Sequence, residues 1–130
     1  MVLEMRPEMG RLNVTAKGNF SLKEAERTFV EMIQAVARHK VSKVLVDGRE
    51  VVGDPETMER FYYGEFAART VWDFAERKEI PLLPRFAYVL KEPVLDPKRF
   101  GETVAVNRGM RVKCFEEVGE AVEWLDQVDS

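Results

Sequence analysis

Lys43-Val44-Leu45-Val46-Asp47-Gly48-Arg49 is the stretch on which the reading of the fold turns. Three apolar residues follow one another without a polar break, the pattern of a strand whose sheet is covered on both faces. The run meets an Asp-Gly pair, the chemistry of a turn, and a loop is expected from Gly48 to Gly53. Amphipathic helical patterns lie on either side, and strand and helix go on alternating to the C-terminus. The stretch is therefore expected to be the central strand of a helix-flanked, mostly parallel sheet.

Upstream, Val2 to Met5 and the period-two segment Leu12 to Ala16 read as an opening hairpin closed by Gly18-Asn19. Ser21-Leu22-Lys23-Glu24 matches a capping box, with Ser21 accepting from a free amide and Glu24 reaching back to the cap. Leu22, Ala25, Phe29, Met32, Ile33 and Val36 then recur at helical spacing, and His39 and Lys40 place positive charge at the carbonyl end.

Downstream, Asp54-Pro55 offers an N-cap and a first-turn proline for a second helix that Pro81 stops. This helix carries two apolar stripes. Met58, Phe61, Gly64, Ala68, Val71, Trp72 and Ala75 form one, and Tyr63, Phe66, Ala67, Thr70 and Phe74 form another on nearly the opposite side. A helix lying on a sheet needs one. The second must be covered by a neighbouring part of the domain, by another chain or by an apolar ligand. Arg85 to Leu90 reads as the next strand, Asp96-Pro97 as a helix start with Leu95 stapled onto Phe100, and Gly109 as that helix's end. Arg111 to Phe115 reads as a strand at or near an edge, and Val118, Ala121, Val122 and Leu125 as the face of a last helix. The expected fold is α/β in the order ββαβαβαβα: one domain spanning residues 1–130, with a mixed, mostly parallel five-stranded sheet and four flanking helices.

Composition narrows the function. At 130 residues, 45% hydrophobic and 33% charged, the chain suits one folded domain. Twenty basic against twenty-three acidic residues give a formal charge of -3 with no basic block, which argues against nucleic acid. No signal peptide or membrane span is legible, so a cytoplasmic protein is expected. A single cysteine, Cys114, and a single histidine, His39, offer neither a disulfide nor a zinc constellation, and no cofactor or metal is expected. Cys114 alternates with cations on a strand and His39 ends a distant helix, so they make no nucleophile and base pair. No glycine-rich phosphate loop is present. No catalytic residues are assigned, and the chain is read as a non-enzyme.

Val44-Leu45-Val46-Asp47-Gly48-Arg49, Ala105-Val106-Asn107-Arg108-Gly109, Val112 and Phe115, then Glu120-Ala121 and Trp124-Leu125, together resemble the SpoIIAA-like family, related to the STAS and CRAL-TRIO folds. The resemblance covers nearly the whole chain. It implies a five-stranded mixed sheet with surrounding helices and little about activity. STAS anti-sigma antagonists carry an Asp-Ser-Ser/Thr-Gly motif with a phosphorylated serine, whereas this chain reads Val52-Gly53-Asp54-Pro55-Glu56-Thr57. Thr57 is the hydroxyl that a phosphate could take there, opposed by Asp54 and Glu56.

The leading expectation is a protein-interaction or regulatory module that forms a homodimer through Tyr63, Phe66, Thr70 and Phe74. The alternative is a small apolar ligand or lipid in a CRAL-TRIO-like pocket lined by the same helix. Ligands of open α/β sheets gather beyond the strands' carboxyl ends, where Asp47 and Arg49 could orient a polar group or form a turn.

Overall fold

The computed structural model describes residues 1–80 and 83–128. Five strands and four helices follow in the expected order: β1 (Val2–Glu8), β2 (Arg11–Asn19), α1 (Leu22–His39), β3 (Lys43–Val52), α2 (Thr57–Glu76), β4 (Arg85–Val89), α3 (Phe100–Asn107), β5 (Arg111–Phe115) and α4 (Val118–Leu125). The strands lie side by side in sequence order. β1 runs antiparallel to β2, and β2 to β5 are mutually parallel. The fold class expected from the sequence is the one observed.

Three layers result. Val44 and Val46 of β3 point into a large core shared with α1, α2 and α3, and Leu45 points the other way into a smaller core covered by α4. This explains the unbroken apolar run: β3 is buried on both faces. Arg85 fixes α4 to the sheet by donating to the carbonyls of Trp124 (2.8 Å) and Gln127 (3.0 Å), at the end of the helix where a cation is favoured.

Several boundaries differ from expectation. The opening hairpin reverses at Met9-Gly10, between the two segments read as its strands, and its second strand ends at Asn19: Met9 and Gly10 have positive φ, 44° and 82°, as a two-residue hairpin turn with matching twist requires. Glu8 and Arg11 flank that turn as a hydrogen-bonded pair, so alternation places the missing amide of Pro7 on the outer side of β1, where it costs no ladder bond. At the opposite rim, Glu102 of α3 accepts from the amide of Cys114 in β5 (2.6 Å).

The loop expected from Gly48 to Gly53 is strand instead. β3 runs to Val52, because a register shift between Thr15 and Lys17 lets β2 keep pairing with Glu50, Val51 and Val52. Gly48 makes no turn: its backbone is extended in β3, and a Cβ there would lie 2.7 Å from Cδ2 of Leu90, so that side chain would have to shift. In α1, Ser21 accepts from the Glu24 amide (3.2 Å) as expected, whereas the Glu24 carboxylate bonds Arg27 (2.7 Å). α2 starts at Thr57, two residues beyond Pro55, because Glu56 and Glu59 form the capping box, the Glu56 amide donating to Glu59 (2.9 Å). α3 starts at Phe100 and not near Pro97: Arg99 takes a left-handed conformation that no helix interior allows. Asp96 still acts as a cap, accepting from the amides of Lys98 (3.1 Å) and Phe100 (2.9 Å). Gly109 follows α3 with φ +89°, as read from the sequence. Pro81, read as a helix stop, lies outside the described residues.

Candidate functional site

α2 is one continuous helix, and both of its stripes meet the rest of the chain, in the reverse of the expected sense. The stripe read as facing the sheet turns to α3: the Gly64 backbone lies against the carbonyl of Gly101, and Trp72 packs on Gly109 while its indole N–H donates to the Arg108 carbonyl (3.1 Å). The stripe read as a partner surface turns inward. Tyr63 sets its ring edge against Phe29 of α1, Phe66 and Phe74 pack on the large core, and the Thr70 hydroxyl donates to the Phe66 carbonyl (2.8 Å). The excess of aromatics that suggested a partner at Tyr63, Phe66, Thr70 and Phe74 is met by α1 and the sheet. A helix wedged between two others needs two covered sides, and periodicity cannot say which is which.

What remains at the surface is the outer edge of the first stripe, Met58 and Trp72, joined by Tyr62, which the sequence reading placed on neither stripe. Met58, Tyr62 and Trp72 on α2, with Phe100 and Val106 on α3, are 36% to 52% exposed. Along α2 the residues Met58, Tyr62, Glu65, Arg69 and Trp72 recur at helical spacing, a signal present in the sequence that shares Met58 and Trp72 with the first stripe. Phe61 joins the two helices here, stacked on Phe100 (centroids 6.5 Å apart) and set edge-on to Tyr62 (5.6 Å), with the Arg108 guanidinium over its ring (5.3 Å). Glu65 lies 3.3 Å from Arg108 and 4.0 Å from Arg69, so the middle of the face carries both signs of charge.

Asp47 and Arg49 come together, though in a strand and not in a turn. Both project from the same side of β3, and the pair is bidentate: Nε and Nη2 of Arg49 reach Oδ1 and Oδ2 of Asp47 at 2.9 and 2.8 Å, with the Arg49 amide on Oδ1 at 3.2 Å. The Arg49 side chain holds the Asp47 carboxyl below its ordinary range; partial burial opposes this and the Arg49 amide assists. A group depressed in the folded state contributes stability above its unfolded pKa of about 3.9, and that contribution is lost as pH falls through the folded value. Arg49→Ala is therefore expected to lower stability slightly at neutral pH, the pair being part-exposed, and not at all well below the carboxylate range. Urea midpoints of the two proteins at both pH values check this; a cost that persists in acid would assign Arg49 another role.

Thr57 is exposed in the first turn of α2, where Glu56 and Glu59 already serve the cap. His39 is exposed at the end of α1. Cys114 is half-buried by residue and its thiol is enclosed. Burial, with the Glu102 carboxylate adding to it, pushes its pKa up to about 12, so a reactive thiolate is absent at neutral pH. Among the described residues no group of acidic, histidine or cysteine side chains is placed to hold a metal, and no helix is long and apolar enough to cross a membrane.

Between the sheet and the layer of α1, α2 and α3 lies an apolar cavity of about 150 Å³. Met32 and Ala67 wall it from the helices, and Val46 and Tyr88 floor it from the sheet. Tyr63 and Tyr88 meet at this wall with their hydroxyl oxygens 2.7 Å apart, and burial raises the pKa of both, keeping them protonated. The volume matches that of an apolar cavity of roughly 150 Å³ that takes up benzene.

No family model and no curated protein matches the chain. Among solved structures it is similar to an anti-sigma factor antagonist from Mycobacterium paratuberculosis, with a TM-score of 0.60 and 13% identity over 97% of this chain and 94% of that one. A match of that extent at that identity is a match of fold, with most side chains different. The chain has the fold that this anti-sigma factor antagonist displays.

Proposed function

We propose that the chain is a non-catalytic regulatory domain that works by binding protein, and that the outer face of α2 and α3 is its contact surface, pairing with a second copy of the chain. The observation that carries this is the line of Met58, Tyr62 and Trp72 along α2, continued onto α3 by Phe100 through its stack with Phe61, all part-exposed. The shared fold with an anti-sigma factor antagonist supports a protein as the object of binding. The pattern on α2 supports a second copy: an antiparallel pairing about Glu65 sets Met58 against Trp72 of the other helix and Tyr62 near Arg69 of the other helix. Glu65 then lies on the two-fold axis, its charge balanced by Arg69 and Arg108 of its own chain. A phosphate on Thr57 has no part in this reading, since it would meet the carboxylates of Glu56 and Glu59.

Sedimentation velocity at micromolar concentration is expected to find a dimer, and Met58→Glu with Tyr62→Glu, both exposed, to give a monomer of unchanged circular dichroism. A wild-type chain that stays monomeric across that range removes self-association. A dimer that survives both substitutions moves it to another surface.

A further inference from the structure

We propose that the cavity between the sheet and the three-helix layer is a binding site for one small neutral molecule with a single-ring apolar body and one acceptor atom, which accepts a hydrogen bond from the Tyr63–Tyr88 pair. Two hydroxyls carry two protons. The one O–H···O contact between them, 2.7 Å, uses a single proton whichever atom donates. Neither hydroxyl has a further acceptor among the described residues, and both tyrosines line the cavity, Tyr88 buried and Tyr63 partly so. One donor is left over in an apolar setting, where an unmade hydrogen bond is costly.

The charged groups around the cavity are already engaged. Arg60 donates to the carbonyls of Val94 and Pro93 (2.8 and 2.6 Å), Arg99 to that of Asp96 (2.8 Å), Asp96 caps α3, and Glu102 holds the Cys114 amide. The two guanidinium groups and two carboxylates on this lining balance in charge, so the walls suit a neutral guest. The volume of about 150 Å³ sets its size near that of benzene. A ketone, ester or ether on one ring meets these conditions; a fatty acid fails on charge.

Acetophenone and α-methylstyrene, which has a CH₂ in place of the carbonyl oxygen, test the site. Both are expected to raise the thermal midpoint at millimolar concentration and to shift the amide resonances of Tyr63, Ala67, Tyr88 and Ala105. Tyr63→Phe with Tyr88→Phe replaces both partners by apolar groups of the same shape and should remain folded. It is expected to weaken acetophenone about tenfold relative to α-methylstyrene, the worth of one hydrogen bond. Ala67→Leu from α2, or Ala105→Val from α3 as the milder filling, should abolish binding of both probes.

Absence of any shift with either probe overturns the site, as does binding that persists in both filled variants. An unchanged ratio of affinities in the double phenylalanine variant overturns the role of the tyrosine pair. None of these readouts involves the outer face of α2, so the self-association proposal stands or falls separately.

Discussion

Phe29→Ala is expected to destabilise the domain by about 3–5 kcal/mol, the range for deleting a fully buried aromatic ring. Phe29 is fully enclosed, its ring 5.5 Å from that of Phe86 in the sheet and edge-on to Tyr63 of α2 at 6.2 Å. It is the side chain through which α1 holds both the sheet and the helix beside it. Domains of this size are stable by only about 5–15 kcal/mol, so the loss is a large share of the total. Urea unfolding should show a much lower midpoint with an unchanged slope. A loss below about 1 kcal/mol would mean that α1 and α2 close over the vacated space, against the packing described above.

Gly64→Ala is the second large effect, and its sign is set by a contest. Inside a helix the change from glycine to alanine gains up to about 1 kcal/mol from propensity. At Gly64 the new Cβ would stand 2.6 Å from the carbonyl oxygen of Gly101 and 3.3 Å from Cβ of Val104. The first of these is backbone on the neighbouring helix and cannot rotate away, so α2 and α3 must separate. Overpacking of this kind costs about 1–3 kcal/mol and occasionally more, and with backbone in the way the upper end applies, leaving a net loss of about 2 kcal/mol. Gly119→Ala in α4 is the control: nothing lies within 4 Å of its Cβ, so the propensity gain stands unopposed. Thermal midpoints should move in opposite directions for the two variants. If both rise, α2 and α3 are not in the close contact described.

The fold was legible wherever the signal is local. Ser21 caps α1 because its hydroxyl reaches an amide three residues on, and Gly109 ends α3 because its φ is open only to a residue without a Cβ. Local signals misled where one residue type serves two purposes. Asp47-Gly48 has turn chemistry, yet Asp47 is satisfied by Arg49 and Gly48 lies in β3 against Leu90, a side chain 42 positions away by the numbering. Asp54-Pro55 and Asp96-Pro97 both announce helices, which begin two and three residues late because the Glu56–Glu59 box in one case and the left-handed Arg99 in the other decide the first turn.

The candidate site was less legible, for a different reason. The two stripes of α2 were visible in its periodicity, but their assignment depends on α1 and α3 lying on either side of it, which is a property of the assembled layers. Tyr63 and Tyr88 are separated by 25 residues, and their shared hydrogen bond exists because β4 passes under α2. The cavity has no signature in any segment, since it is the space that three helices and a sheet fail to fill.

The two rims of the sheet also set limits on how copies of this chain can meet. A strand arriving beside β1 finds no amide at Pro7, and one arriving beside β5 finds the Cys114 amide already held by the Glu102 carboxylate. Ladder growth is thus discouraged at both ends, which steers encounters away from filament-forming accretion and onto side-chain surfaces, where assemblies close and stop.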